Sequence, residues 1–125
     1  MSQAACILGV AGFGWLTVFQ LMLAAGLPLG HLAWGGAHRV LPSRLRISSL
    51  FSAVLTLLGV EIVAQAGGLI SLLPPAWITP LLWIYAVLFA VSFLLNLLGA
   101  KGWERIHGVP LTLICAGSCL ALVLN

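Results

Sequence analysis

Four long apolar stretches, interrupted by a single charge, decide what this chain can fold into. They run over about residues 4–27, 47–66, 77–98 and 109–124, and Glu61 is the one charged side chain inside them. A helix needs about 20 apolar residues, at 1.5 Å each, to cross a hydrocarbon layer of about 30 Å. The first three stretches reach that length. The fourth is expected to be short, with Asn125 at the interface and bilayer thinning or longer neighbours making up the difference. Only 6% of the residues are charged, against about 25% in a soluble domain, so lipid is the expected solvent.

The stretches are continuous rather than alternating in ten-residue segments, which argues against a barrel. Backbone groups in lipid must be satisfied within the segment, and helices do this. The expected fold is therefore all-α: a transmembrane four-helix bundle, up-down-up-down, in one domain spanning residues 1–125. Punctuation supports the boundaries. Gly26 and Pro28 end the first helix. Gly67-Gly68 and Pro74-Pro75 bracket an apolar "LISLL" expected at the interface or against the bundle. Pro80 and Pro110 are expected in the first turns of spans three and four. "MSQAACILGV" has no Lys or Arg ahead of its apolar run, so it reads as a retained first span rather than a signal peptide.

The cations fix the orientation. Arg39, Arg44 and Arg46 fall between spans one and two, and Lys101 and Arg105 between spans three and four. The other loop and both ends of the chain have none. The positive-inside rule makes the cation-bearing side cytoplasmic and puts both termini on the non-cytoplasmic side. Trp34 and Trp103 then sit at one boundary and Trp77 at the other, as interfacial aromatics. A faint internal echo links "FQLMLAAGLPLGHLAWGGAHRVLP" to "FLLNLLGAKGWERIHGVP", which suggests a duplicated hairpin about an axis along the membrane normal.

Few residues offer chemistry. Glu61 lies about five residues, or roughly 7 Å, from the outer end of span two. A carboxylate at membrane depth costs at least about 2.5 kcal/mol unless it faces inward and finds a partner or a proton. Tyr85, Thr79, Trp15 and Ser118 lie at similar depth. Glu61 reads either as a relay or ligand anchor or as a hydrogen-bonded bundle residue. Gln20 and Asn96 suit interhelical hydrogen bonds. Gly9, Gly12, Gly14 and Gly59 suit close helix contact. His31, His38 and His107 all map to the cationic side with Glu104, and could hold a metal or a haem axial position. No C-x-x-C-H motif accompanies them, so lipid headgroup contact or capping is the plainer reading, and no metal site is assigned. Cys6, Cys115 and Cys119 contain no C-x-x-C pair and read as small packing residues. The chain has no Asp, no G-x-S-x-G, no Walker-type loop and no H-E-x-x-H. No enzyme and no nucleic-acid binder is indicated.

The loop "AWGGAHRVLPSRLRISS" resembles that of a family of small, uncharacterised bacterial integral membrane proteins. The similar positions are Phe19-Gln20-Leu21, Trp34-Gly35-Gly36, His38, Leu41-Pro42, Leu45-Arg46, Ser49, Asn96-Leu97 and Glu104-Arg105. Where this chain has His107, similar proteins have Trp, which weakens a three-histidine site. The resemblance implies a four-span fold and a membrane location, and it brings no activity. It also implies that His38, Arg46, Gln20, Asn96 and Glu104 gather in one polar pocket on the cytoplasmic side. Arg39 and Arg44 join them as contacts for anionic lipid or a partner.

Three functions follow as expectations. The first is an accessory, assembly or stabilising subunit of a larger inner-membrane complex. The second is a small oligomeric transporter or channel using Glu61. The third is a membrane cofactor protein binding haem or a metal through its histidines. The expected partners are the bilayer and either other membrane subunits or further copies of the chain.

Overall fold

The structure is a computed structural model that describes residues 2–34 and 37–125. Four helices account for most of it: α1 (Ser2–Ala24), α2 (Ser43–Ala66), α3 (Pro75–Gly99) and α4 (Gly102–Leu124). A 3-10 turn, Gly30–Leu32, lies in the first connection. Each helix is long and apolar enough to cross a membrane. The chain is thus an all-helical, multi-pass membrane protein.

The helices alternate in direction. Cys6, near the start of α1, meets Val63, near the end of α2, while Arg46 at the start of α2 reaches Ala24 at the end of α1. Asn96, late in α3, lies against Gly108, early in α4. α1 packs chiefly on α2 and α3 on α4, and the two hairpins join along α1 and α4, with α2 and α3 in little contact. Both connections that carry cations therefore lie at one end of the bundle, and both chain ends lie at the other.

Glycine ends α1 and α2 in the same way. Gly26 has φ +93° and Gly68 φ +82°, a left-handed backbone that costs glycine nothing. Leu27 N–H donates to Met22 O and Gly26 N–H to Leu23 O; Leu69 N–H donates to Ala64 O and Gly68 N–H to Gln65 O. This pair of bonds satisfies carbonyls that the last turn would otherwise leave unpaired. Gln65 then holds the "LISLL" connection. Its Oε1 accepts from the Leu72 and Leu73 N–H groups and its Nε2 donates to Leu73 O, at 2.8–3.1 Å. Leu69, Ile70 and Leu72 stay exposed, while Leu73 packs on the core.

Several boundaries differ from the expected ones. α3 begins at Pro75, so Pro75 takes the first-turn place and Pro80 lies inside the helix. α4 begins at Gly102, seven residues ahead of the expected start, and Pro110 lies inside it. The extended Ala100 and Lys101 turn the chain, and Glu104 in the first turn complements the helix dipole. The fourth helix is therefore 23 residues long, or about 35 Å, and not a short span. The loop before it shrinks to two residues, which places Trp103, Glu104, Arg105 and His107 on the helix itself. The echo between the hairpins does not extend to conformation: His38 lies in a loop and His107 in a helix.

The main core joins Phe13, Ile62, Val63, Leu82, Tyr85, Phe89, Cys115 and Cys119. Phe13 is fully buried, edge-on to Tyr85 and Phe89. Gly59 gives it room, since a Cβ there would stand 2.6 Å from the ring. Gly9 and Gly12 likewise admit Val63, Ser118 and Ile114, whereas Gly14 faces open space. The three thiols are free and buried. Between α1 and α2 the Thr17 hydroxyl donates to the Thr56 hydroxyl at 2.9 Å, and Thr56 donates on to Ser52 O.

Candidate functional site

A cavity of about 340 Å³ opens at the cation-rich end, walled by all four helices and by Leu32, Ala33 and Trp34 of the first connection. Leu16, Phe19, Leu88, Phe89 and Leu111 supply its apolar sides. Gln20, Ser52, Thr56, Asn96, Glu104 and His107 supply polar groups. Among the described residues no lysine or arginine lines it.

Each polar group is positioned by its own helix. Gln20 projects from the last third of α1, and its Oε1 is shielded from solvent with no hydrogen-bond partner among the described residues. Asn96 donates from Nδ2 to Ser92 O one turn back, at 2.8 Å. Its amide rests on Gly108, where any Cβ would collide with it. Thr56 and Thr112 donate to carbonyls of their own helices. His107 accepts at Nε2 from Trp15 Nε1, 2.8 Å away, and its ring packs 4.5 Å from that of Phe19. Accepting at Nε2 puts the ring proton on Nδ1.

Three of the five residues expected to gather are brought to one cavity and two are not. Gln20, Asn96 and Glu104 line one cavity; His38 and Arg46 do not. Arg46 instead donates from Nε to Ala24 O at 2.9 Å, and its guanidinium covers Gly26. It caps the end of α1, as a cation does at a helix C-terminus. His38 is exposed, and its carbonyl lies against Gly30, whose N–H donates to Arg39 O. Arg39 and Arg44 are exposed at the same end. Trp34 donates from Nε1 to the buried Ser49 hydroxyl at 2.9 Å, which pins the connection over α2. Gly35 and Gly36 of the loop motif lie outside the described residues.

Glu61 sits apart from this cavity. Both carboxylate oxygens are shielded from solvent, with no hydrogen-bond partner among the described residues. The expected partner Tyr85 is engaged elsewhere: its hydroxyl donates to Leu55 O at 2.7 Å. Thr79 is exposed, and Trp15 is turned to His107. Depth along a helix axis gave these pairings, and depth does not fix the azimuth around it. Among the described residues Gln20 and Asn96 also make no interhelical bond. That work falls to Thr17 with Thr56, Trp15 with His107, and Tyr85 with Leu55. Gln65, a polar group at the end of an apolar run, went unremarked in the sequence, whereas Trp15 and Ser49 were named for depth and for the loop pattern but not for the bonds they make.

His31 and His38 are exposed in the first connection, while His107 faces inward on α4. Among the described residues no three His, Cys, Asp or Glu side chains stand close enough to hold a metal ion. No protein-family model, curated protein or solved structure matches the chain.

Proposed function

We propose that the chain is a non-enzymatic accessory or assembly subunit of a larger complex in the cell inner membrane, with its cation-rich end in the cytoplasm and both termini outside. The observation that supports this most is an apolar groove of about 310 Å³ between α3 and α4. Small residues, Ala86, Ala90, Ala116 and Gly117, line it together with Trp83 and Phe93. α3 is also the helix that the bundle covers least, with 22% of its apolar window buried against 39% for α1 and α2. Lipid tails are as apolar as leucine, so hydrophobicity alone does not hold helices together in a membrane. Small residues do, because they let another backbone approach closely. A side chain added at Gly117 would meet nothing within the chain. The occupant that fits is an apolar transmembrane helix of a larger subunit.

The test is native mass spectrometry of the protein extracted in mild detergent from its own membranes. A mass that adds other polypeptides to this chain, and that is lost in Ala90→Leu with Gly117→Leu, supports the reading. A lone chain, or copies of it only, overturns it.

Glu61 supports a second reading, a small oligomeric transporter or channel. A shielded carboxylate without a donor is costly in lipid and is typical of ion and proton pathways. The cavity at the cationic end is not lined by Glu61, so a pathway would draw on several copies. Ion or proton flux in liposomes that Glu61→Gln abolishes supports this reading over the first.

A further inference from the structure

The cavity at the cation-rich end carries hydrogen-bonding groups of both kinds, and neither functional reading uses them. Gln20 is the clearest. Its Oε1 is shielded from solvent and unpartnered among the described residues, and the same amide carries N–H donors at Nε2. His107 adds a donor at Nδ1, because its Nε2 accepts from Trp15. Thr56 and Thr112 spend their protons on carbonyls of their own helices and keep lone pairs. Glu104 also lines the cavity but is already engaged, so no ligand charge is needed to match it. A shielded acceptor left unmatched is costly, and an occupant that donates to it removes that cost. The group that suits this wall must donate to Gln20 Oε1 and accept from an N–H beside it. A hydroxyl does both through one atom, with one O–H and two lone pairs.

We propose that this cavity binds an uncharged amphiphile through a hydroxyl head, with the Gln20 amide as its partner. Water could meet the polar groups alone. A hydroxyl on an apolar body also covers Leu16, Leu88 and Leu111, and the volume of about 340 Å³ is at the lower end of the range for small-ligand sites. Two sources share this chemistry. One is a phenolic ring, such as a quinol, which would lie against Phe19, Phe89 and Trp34 of the lining. The other is an aliphatic alcohol, such as a diacylglycerol or a long-chain alcohol.

The discriminating probe is methylation of the oxygen, which keeps the apolar body and an acceptor but removes the O–H. Retention of radiolabelled nonylphenol and of its methyl ether is measured on the immobilised, delipidated full chain in one detergent. A second arm uses decanol and its methyl ether. Gln20→Met protein, run alongside, keeps the side-chain length and removes the amide. Since Oε1 has no partner among the described residues to lose, the fold is kept. Each hydroxyl form is expected to exceed its ether by about three- to ten-fold, the ratio that one hydrogen bond supplies, and the ratio is expected to fall to that of simple partitioning in Gln20→Met. A preference in the phenol pair supports the proposal with an aromatic source. A preference confined to the decanol pair supports it with an aliphatic one. Equal retention of hydroxyl and ether in both arms overturns the proposal. So does a preference that Gln20→Met leaves unchanged.

Discussion

Nε1 of Trp15 donates a 2.8 Å hydrogen bond to Nε2 of His107, tying the middle of α1 to the second turn of α4. The two residues are 92 positions apart, and the bond sits on the seam that joins the two helical hairpins. The indole also faces the imidazole edge-on at 6.1 Å, and Phe19 closes the other side. In lipid no water replaces a lost partner, but an unfolded chain within the membrane finds others. Measured side-chain hydrogen bonds there therefore contribute only about 0.6–2 kcal/mol.

Trp15→Phe removes the donor and keeps most of the ring. It is expected to destabilise the bundle by about 1 kcal/mol, read as a lower midpoint in detergent-driven unfolding. His107→Leu should cost a similar amount. The double variant should cost less than the sum, because each single change already breaks the shared bond. Strict additivity would show that the two side chains do not act together.

Gly59 and Gly14 make a contrast that helix propensity alone does not predict. A Cβ at position 59 would stand 2.6 Å from the Phe13 ring, and that ring is fully buried between Tyr85 and Phe89 with nowhere to turn. Gly59→Ala is expected to cost about 1–3 kcal/mol through overpacking. At Gly14 an added Cβ meets nothing, so Gly14→Ala should be neutral or stabilising by up to about 1 kcal/mol, the ordinary helix preference for alanine. The same unfolding assay ranks the two. Equal effects would mean that the ring moves aside.

The contrast marks what could be read from the chain alone. Four helices, their number and their approximate extents follow from uninterrupted apolar runs, because only helices satisfy backbone groups in lipid. Gly26 and Pro28 announce the end of α1 correctly, since a left-handed residue is required there. Pro110 misled, because a proline marks the first turn of soluble helices but is tolerated inside membrane ones. Reading it as a start left Glu104 and His107 in a loop, when they occupy the first two turns of α4. Gln20, Asn96 and Glu104 were brought together on the strength of a loop pattern, and they do share a cavity. Arg46 was grouped with them but caps α1. Azimuth decided such cases, and an all-apolar helix carries little periodicity from which azimuth could be read.

Sidedness is open to direct measurement. All five Lys and Arg residues lie at one end of the bundle, Arg39 and Lys101 in its two connections and Arg44, Arg46 and Arg105 in the first turns of α2 and α4, and that bias sets orientation during insertion. Alkaline phosphatase fused after Asn125 is expected to be active and a fluorescent protein fused there dark. Fusions between Arg39 and Arg44 should behave the opposite way. A fluorescent C-terminal fusion would invert the topology and place Glu61 nearer the cytoplasmic face.

Glu61 offers the sharpest separation between a structural and a working residue. Its two carboxylate oxygens are shielded and find no donor among the described residues, and an unsatisfied buried group of this kind costs about 1–3 kcal/mol or more. A residue kept only for packing should not carry that penalty. Glu61→Leu removes both oxygens at similar volume, so the bundle is expected to gain about 1–3 kcal/mol against detergent unfolding. Glu61→Gln keeps the shape and leaves polar atoms in place, so it should gain less. Stability gained while flux or complex assembly is lost is the pattern of a site held at a cost because it acts. If Glu61→Leu instead destabilises the bundle, the carboxyl has a partner in the membrane that the isolated chain lacks. Lipid or a second subunit would then supply the donor, and the accessory reading would gain over the transporter.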